Sequence, residues 1–215
     1  MVLALGSFML AHVIPPLPPV RARLLAALGR RGYLLAYSLL STALLVWVLV
    51  AAARAPHIAL WTPRGWHYLV PVLVMPMAFW LAIAGLFQRN PLSLTLRASP
   101  PHAAPGAIVR VTRHPVLWGL LLWALAHIPP NGDLVSLLLF GFMAALAAAG
   151  FVMLDRRRRR RLGRERWRLL ASGTTAGSRW SLLPPAVAAL GLFAWFLLQG
   201  HALLIGVDPL AGVMP

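Results

Sequence analysis

Seven histidines carry most of the donor chemistry in this 215-residue chain, which has no cysteine and only four carboxylates: Asp133, Asp155, Glu165 and Asp208. Without thiols, the chain cannot form disulfides, hold iron–sulfur clusters, ligate haem through a thiolate or operate a thiol switch. Ligation falls to His, Met and Tyr. His12 and His127 stand inside apolar stretches, and His114 opens one within Arg113-His114-Pro115. His57, His67 and His102 fall in connectors or at their edges, where interfacial contact is the expected role, and His201 comes late in the last apolar stretch. An ionisable group at membrane depth is costly enough to mark function. That criterion singles out His12 and His127.

The elements that must position them are set by composition. With 60% hydrophobic and 11% charged residues and a mean hydropathy of +0.77, the chain is more apolar than a soluble core of this size can enclose. Apolar stretches near the roughly 20 residues needed to cross a bilayer recur between short polar connectors. The expected fold is all-α, a polytopic membrane helical bundle of about six transmembrane helices, forming one domain over residues 1–215 with the lipid bilayer as its main partner.

The first span covers residues 2–14 and ends at the Pro15–Pro19 proline run, because proline cannot continue the backbone ladder. With neither a basic leader nor a small-residue cleavage site, it is expected to remain as a span. An interfacial amphipathic piece, 20–28, precedes Gly29-Arg30-Arg31 and a second span at 33–53. Span three covers 66–87, kinked at Pro71 and Pro76. A proline-rich loop, 88–113, leads to span four at 114–128. Pro129-Pro130-Asn131-Gly132-Asp133 is a turn, so spans four and five (134–154) form a tight hairpin. The small residues between 144 and 150 suit close helix packing, and span six covers 182–205.

The formal charge of +16 comes entirely from arginine, with no lysine in the chain. The connectors after spans one, three and five carry the large arginine groups, including Arg156 to Arg161. The positive-inside rule then places those connectors in the cytoplasm and both termini outside, in a bacterial inner membrane. The run itself is read as a topology and lipid-headgroup element. Nucleic acid is not an expected partner, despite a pI near 12.

Counting roughly 1.5 Å per residue, His12 lies roughly 16 Å from the outer boundary and His127 roughly 18 Å from the inner one, within a bilayer core of roughly 30 Å. Two imidazoles at matched depth can hold one haem iron from opposite faces. Alternatively, each bonds a carbonyl on a neighbouring helix. No paired-carboxylate site, P-loop or dinucleotide glycine fingerprint is present. Ser38, Ser41 and Thr42 suit helix-packing hydrogen bonds, and Met75, Met77 and Met143 suit packing.

The segments FMLAHVIPPLPPVRARL, RRGYLLAYSLLS, LWTPRGWHYL and above all TRHPVLWGLLLWALAHIPPNGDLVSLLLFG, continuing to about Asp155, resemble the NnrU family. These are membrane proteins associated with denitrification gene clusters and related to the plant 15-cis-zeta-carotene isomerase. The resemblance is strongest over residues 1–155. It implies a haem b protein with axial ligands at His12 and His127, and either a redox-dependent cis–trans isomerase of a polyene or an accessory factor in nitric oxide metabolism. Ala124 stands where the isomerase pattern has a cysteine, so exchange of thiolate for imidazole is not available.

Arg113-His114-Pro115, Asp155 and the LGRERWRLL segment are also similar to isoprenylcysteine carboxyl methyltransferases and phospholipid N-methyltransferases. That similarity implies S-adenosylmethionine binding at Arg113 and His114, although Asp155 followed by arginines replaces the usual paired glutamates. Three functions therefore stand side by side: a haem-dependent membrane enzyme, a membrane methyltransferase, and a non-catalytic assembly factor for a respiratory or denitrification complex. Apolar walls of Leu, Ala and Trp suit an apolar small-molecule substrate.

Overall fold

The computed structural model describes residues 1–98 and 104–213, and His102, Pro100 and Pro101 lie outside them. Among the described residues the chain is helical, with only an isolated antiparallel bridge between Ala59 and Asp133. It divides into two compact units, residues 1–58 and 59–215.

The first unit holds α1 (Val2–Val13) and α2 (Pro18–Ala53), which pack on each other. Gly29, at φ 65° and ψ 173°, breaks α2 in two. That backbone conformation is open essentially to glycine alone. The expected interfacial piece and span are therefore separated where the sequence places the break, with helix resuming directly after it. Most large apolar side chains along α2, such as Leu35 and Leu39, are exposed, as a helix solvated by lipid requires.

The second unit is built on α3 (Gly65–Phe87), α4 (Pro115–Asn131), α5 (Leu134–Leu162), α6 (Arg164–Ala171), and α7 (Leu183–Trp195). A π-helical turn, Phe196–Gly200, carries α7 into α8 (His201–Ile205). α3 packs against α4 and α7, and α4 against α5. Small residues allow this approach. A β-carbon at Gly119 would lie 2.8 Å from the Ala78 carbonyl oxygen, and one at Gly85 would lie 2.7 Å from Pro115 Cγ. On α5, Ala144, Ala147 and Gly150 are buried, in agreement with the small-residue packing expected there.

Two helix ends differ from the sequence expectation. α4 continues through Pro129 and Pro130 to Asn131. The carbonyls of a last turn have no helical donor in any case, and here the Trp61 indole donates to Pro129 O at 3.0 Å while Asn131 Nδ2 donates to His127 O at 2.6 Å. Gly132, at φ 67°, then turns the chain, and Asp133 caps α5 by accepting from Ser136 N at 2.9 Å. α5 in turn continues past Leu154 through the arginine run to Leu162. Arginine is a good helix former, and cations in a last turn offset the negative end of the helix dipole.

Among the described residues, four helical runs are long and apolar enough to cross a membrane: Pro18–Ala53, Gly65–Phe87, Leu134–Leu162 and Arg179–Ile205. The other two expected spans are helical but shorter. α1, with 12 residues, extends about 18 Å, and α4, with 17, about 26 Å.

Candidate functional site

A polar cluster lies at the end of the α4–α5 hairpin remote from its turn. Because the two helices are antiparallel, the residue before α4 and a residue seven short of the end of α5 meet there. His114 Nε2 donates to Asp155 Oδ1 at 2.9 Å, and Arg113 Nη2 reaches Asp155 Oδ2 at 3.2 Å. Arg159 stands 4.0 Å from the same carboxylate. On its other side, His114 Nδ1 is 3.0 Å from Ser93 Oγ.

The loop after α3 supports the cluster. Asn90 Nδ2 donates to Arg113 O at 2.9 Å, its Oδ1 accepts from Leu92 N at 3.0 Å, and Arg158 Nη2 donates to Ser93 O at 3.0 Å. Buried polar groups persist when hydrogen-bonded, and Asn90, Ser93 and His114 are all buried. The hydroxyl–imidazole–carboxylate order resembles that of a nucleophilic triad. Ser93 is only 1% exposed, however, so its hydroxyl is closed to a substrate in this arrangement and acts as a brace.

Trp167 on α6 closes the cluster, with the Arg159 guanidinium 4.0 Å and that of Arg113 5.3 Å from its ring centre. Such cation–π contacts fix both the indole and the guanidinium planes. Arg156, Arg159, Arg160, Arg164 and Arg168 join Trp167 around a groove of about 420 Å³.

His12 and His127 are each held in the same local way. His12 Nδ1 donates to Phe8 O at 2.7 Å, and His127 Nδ1 donates to Trp123 O at 2.7 Å, in both cases one turn back on the same helix. Neither therefore bonds the carbonyl of a neighbouring helix. With Nδ1 as the donor to a carbonyl, the neutral form of each ring carries its lone pair on Nε2. His12 Nε2 accepts from Ser41 Oγ of α2 at 3.2 Å. His127 Nε2 has no hydrogen bond among the described residues, and its ring packs against Trp123 and Phe140 with centroids 5.7 and 5.2 Å away. Aromatic residues flank His12 as well, with Phe8 at 4.2 Å and Tyr37 at 6.0 Å.

Of the other described histidines, His67 and His201 have structural tasks. His67 Nδ1 accepts from Arg64 N at 3.0 Å at the start of α3, His201 Nδ1 donates to Val207 O at 2.7 Å, and His57 is exposed. Among the described residues, no three His, Asp or Glu side chains converge to hold a metal ion. A haem iron requires only axial donors from the protein.

The structure thus joins Arg113 and His114 to Asp155 and leaves His12 and His127 as separately oriented donors. Asn90, Ser93 and Trp167 were not legible as members of the cluster. The hairpin itself was the available signal, since it brings residue 114 and residue 155 to the same side of the membrane.

The helices and this arginine-braced cluster define a polytopic α-helical membrane protein. The family model described as NnrU protein matches residues 1–209, and the chain belongs to the NnrU family. No curated protein and no solved structure matches it.

Proposed function

We propose that this membrane protein binds haem b through His12 and His127, and that it acts either as a redox-dependent cis–trans isomerase of an apolar polyene or as an accessory factor in nitric oxide metabolism. The observation that carries the reading is the same local hydrogen bond at both rings: in each, a carbonyl one turn back on its own helix accepts from Nδ1 and leaves the Nε2 lone pair for a metal. A ligating histidine has this arrangement, because the outer hydrogen bond sets the tautomer and raises the basicity of the ligating nitrogen. The donor set fits haem b, whose porphyrin supplies the other ligands and whose iron supplies one-electron chemistry. On the protein side, the aromatic rings beside each histidine restrict its rotation, and Ser41 holds His12 Nε2 until a stronger acceptor of the lone pair replaces it. The arginine-rich connectors are assigned to the cytoplasmic face of a bacterial inner membrane on the positive-inside rule.

The test is an absorption spectrum of the purified protein. A Soret band is expected that His12→Ala and His127→Ala each remove and His201→Ala leaves in place. Protein that is colourless and takes up no added haemin overturns the reading. Bound S-adenosylmethionine, measured by calorimetry and lost in His114→Ala, would instead assign the chain to membrane methyl transfer. A stable protein partner with neither cofactor would assign it to assembly.

A further inference from the structure

We propose that the groove between the end of α5 and α6 is a binding site for the phosphate of an anionic phospholipid, going beyond the general attraction of a basic segment to a membrane surface. Three observations carry it. The first is that five arginines line one cavity of about 420 Å³, within the range of small-ligand sites. No carboxylate lies within ion-pair distance of Arg156, Arg160, Arg164 or Arg168 among the described residues. Convergent guanidiniums without a counter-charge repel one another, and a phosphate relieves this through several charge-assisted hydrogen bonds.

The second observation is that the cavity has a rigid wall. Trp167 is 8% exposed and held by Arg159 and Arg113, and its buried indole N–H has no acceptor among the described residues. Gly163, at φ 81°, breaks the helix between α5 and α6, and Arg156, Arg159 and Arg160 of α5 line one space with Arg164 and Arg168 of α6. A solvated run of arginines on an unbroken helix would have neither the wall nor the break.

The third observation distinguishes a lipid from a soluble phosphate. Val152, Arg156 and Arg160 follow at four-residue intervals along α5, so they share one face, and Val152 is exposed, as is its neighbour Met153. Apolar side chains one turn before the arginines present an acyl chain with a surface continuous with the headgroup site. Basic pockets on the cytoplasmic side of membrane helices bind anionic headgroups by this combination.

The experiment uses the full chain in detergent, exposed to phosphatidylglycerol and phosphatidylcholine of equal chain length, with bound lipid counted by native mass spectrometry. Arg160→Gln with Arg164→Gln removes two groove charges. Arg157→Gln with Arg161→Gln removes two charges of the same run that do not line the groove. Phosphatidylglycerol should be retained by the wild type and the second variant, and about tenfold less by the first. Equal losses in both variants would mean diffuse charge attraction and overturn the site, as would equal retention of the two lipids by the wild type, a measurement that needs no variant. Inorganic pyrophosphate bound in calorimetry, with no preference for phosphatidylglycerol, overturns the lipid assignment in favour of a soluble phosphate.

Discussion

His114 Nε2 and Asp155 Oδ1 lie 2.9 Å apart although 41 residues separate them in the chain. The contact closes the α4–α5 hairpin at the end opposite its turn, where helix packing alone would leave the two helices free to splay. Asp155 also neutralises Arg113, whose side chain is 42% exposed, and approaches Arg159, 52% exposed. Exposed pairs contribute little, so the buried imidazole is the partner that matters for stability.

Removing the carboxylate should therefore destabilise the fold more than removing either arginine. Asp155→Ala leaves a buried imidazole donor without its acceptor and is expected to cost about 1–3 kcal/mol, the range for a buried hydrogen-bonding group left unsatisfied. Arg113→Ala should cost about 1 kcal/mol or less through its ion pair. Thermal unfolding in detergent ranks the two, and an equal or reversed order would show that the network does not hold the hairpin.

The α3–α4 contact gives a sharper steric prediction. A methyl group at Gly119 must fit against the Ala78 carbonyl at 2.8 Å, and one at Gly85 against Pro115 and Val116 side-chain carbons at 2.7 and 2.8 Å. Gly119→Ala meets backbone that cannot turn aside, so it should cost about 1–3 kcal/mol by overpacking. Gly141→Ala, which meets nothing within 4 Å, should be neutral or slightly stabilising, because alanine is the better helix former. Unfolding midpoints of the two variants that failed to separate would place the α3–α4 interface elsewhere.

How much of this was legible beforehand follows from the range over which each feature is determined. The helices could be read because apolar length and proline runs are local properties, and the break at Gly29 because glycine next to Arg30 and Arg31 marks a boundary. The ends of α4 and α5 could not. The last-turn carbonyl of Pro129 is satisfied by the indole of Trp61, 68 residues away, and no local pattern contains that fact. The same reason hid Asn90 and Ser93 in what reads as a proline-rich connector. Arg113 and His114 were visible as unusual residues opening a span, whereas the tie to Asp155 depended on the hairpin register. His12 and His127 stood out as histidines inside apolar stretches, and the structure adds that Nδ1 of each donates to a carbonyl one turn back.

Gly29 offers a test of the bend in α2. Its φ of 65° with ψ of 173° lies where a β-carbon is strained, although nothing stands within 4 Å of one. The cost of Gly29→Ala is thus conformational alone, about 1–3 kcal/mol, unless the helix straightens. A straightened α2 would run without interruption from Pro18 to Ala53 and draw Arg21 and Arg23 out of line with the interface. Cysteine introduced at position 23, labelled from each side of the membrane in this cysteine-free chain, should show changed accessibility in Gly29→Ala, and unchanged labelling with unchanged stability would mean the bend is not set by this residue.

The last prediction separates a ligating His12 from a structural one. Ser41 Oγ and His12 Nε2 are 3.2 Å apart, and a hydrogen bond of this kind between membrane helices contributes on average about 0.6 kcal/mol. If His12 serves only to join α1 to α2, then Ser41→Ala and His12→Ala both remove this interaction and should both destabilise the protein, with no effect on a haem spectrum. If Nε2 is an iron ligand, the serine competes with the metal for that lone pair. Ser41→Ala should then retain the full Soret band and bind added haemin at least as tightly as the wild type, while His12→Ala loses it. Titration of both variants with haemin, followed by absorbance, gives opposite outcomes for the two roles, and equal loss of the band in both would assign Ser41 to the binding site itself.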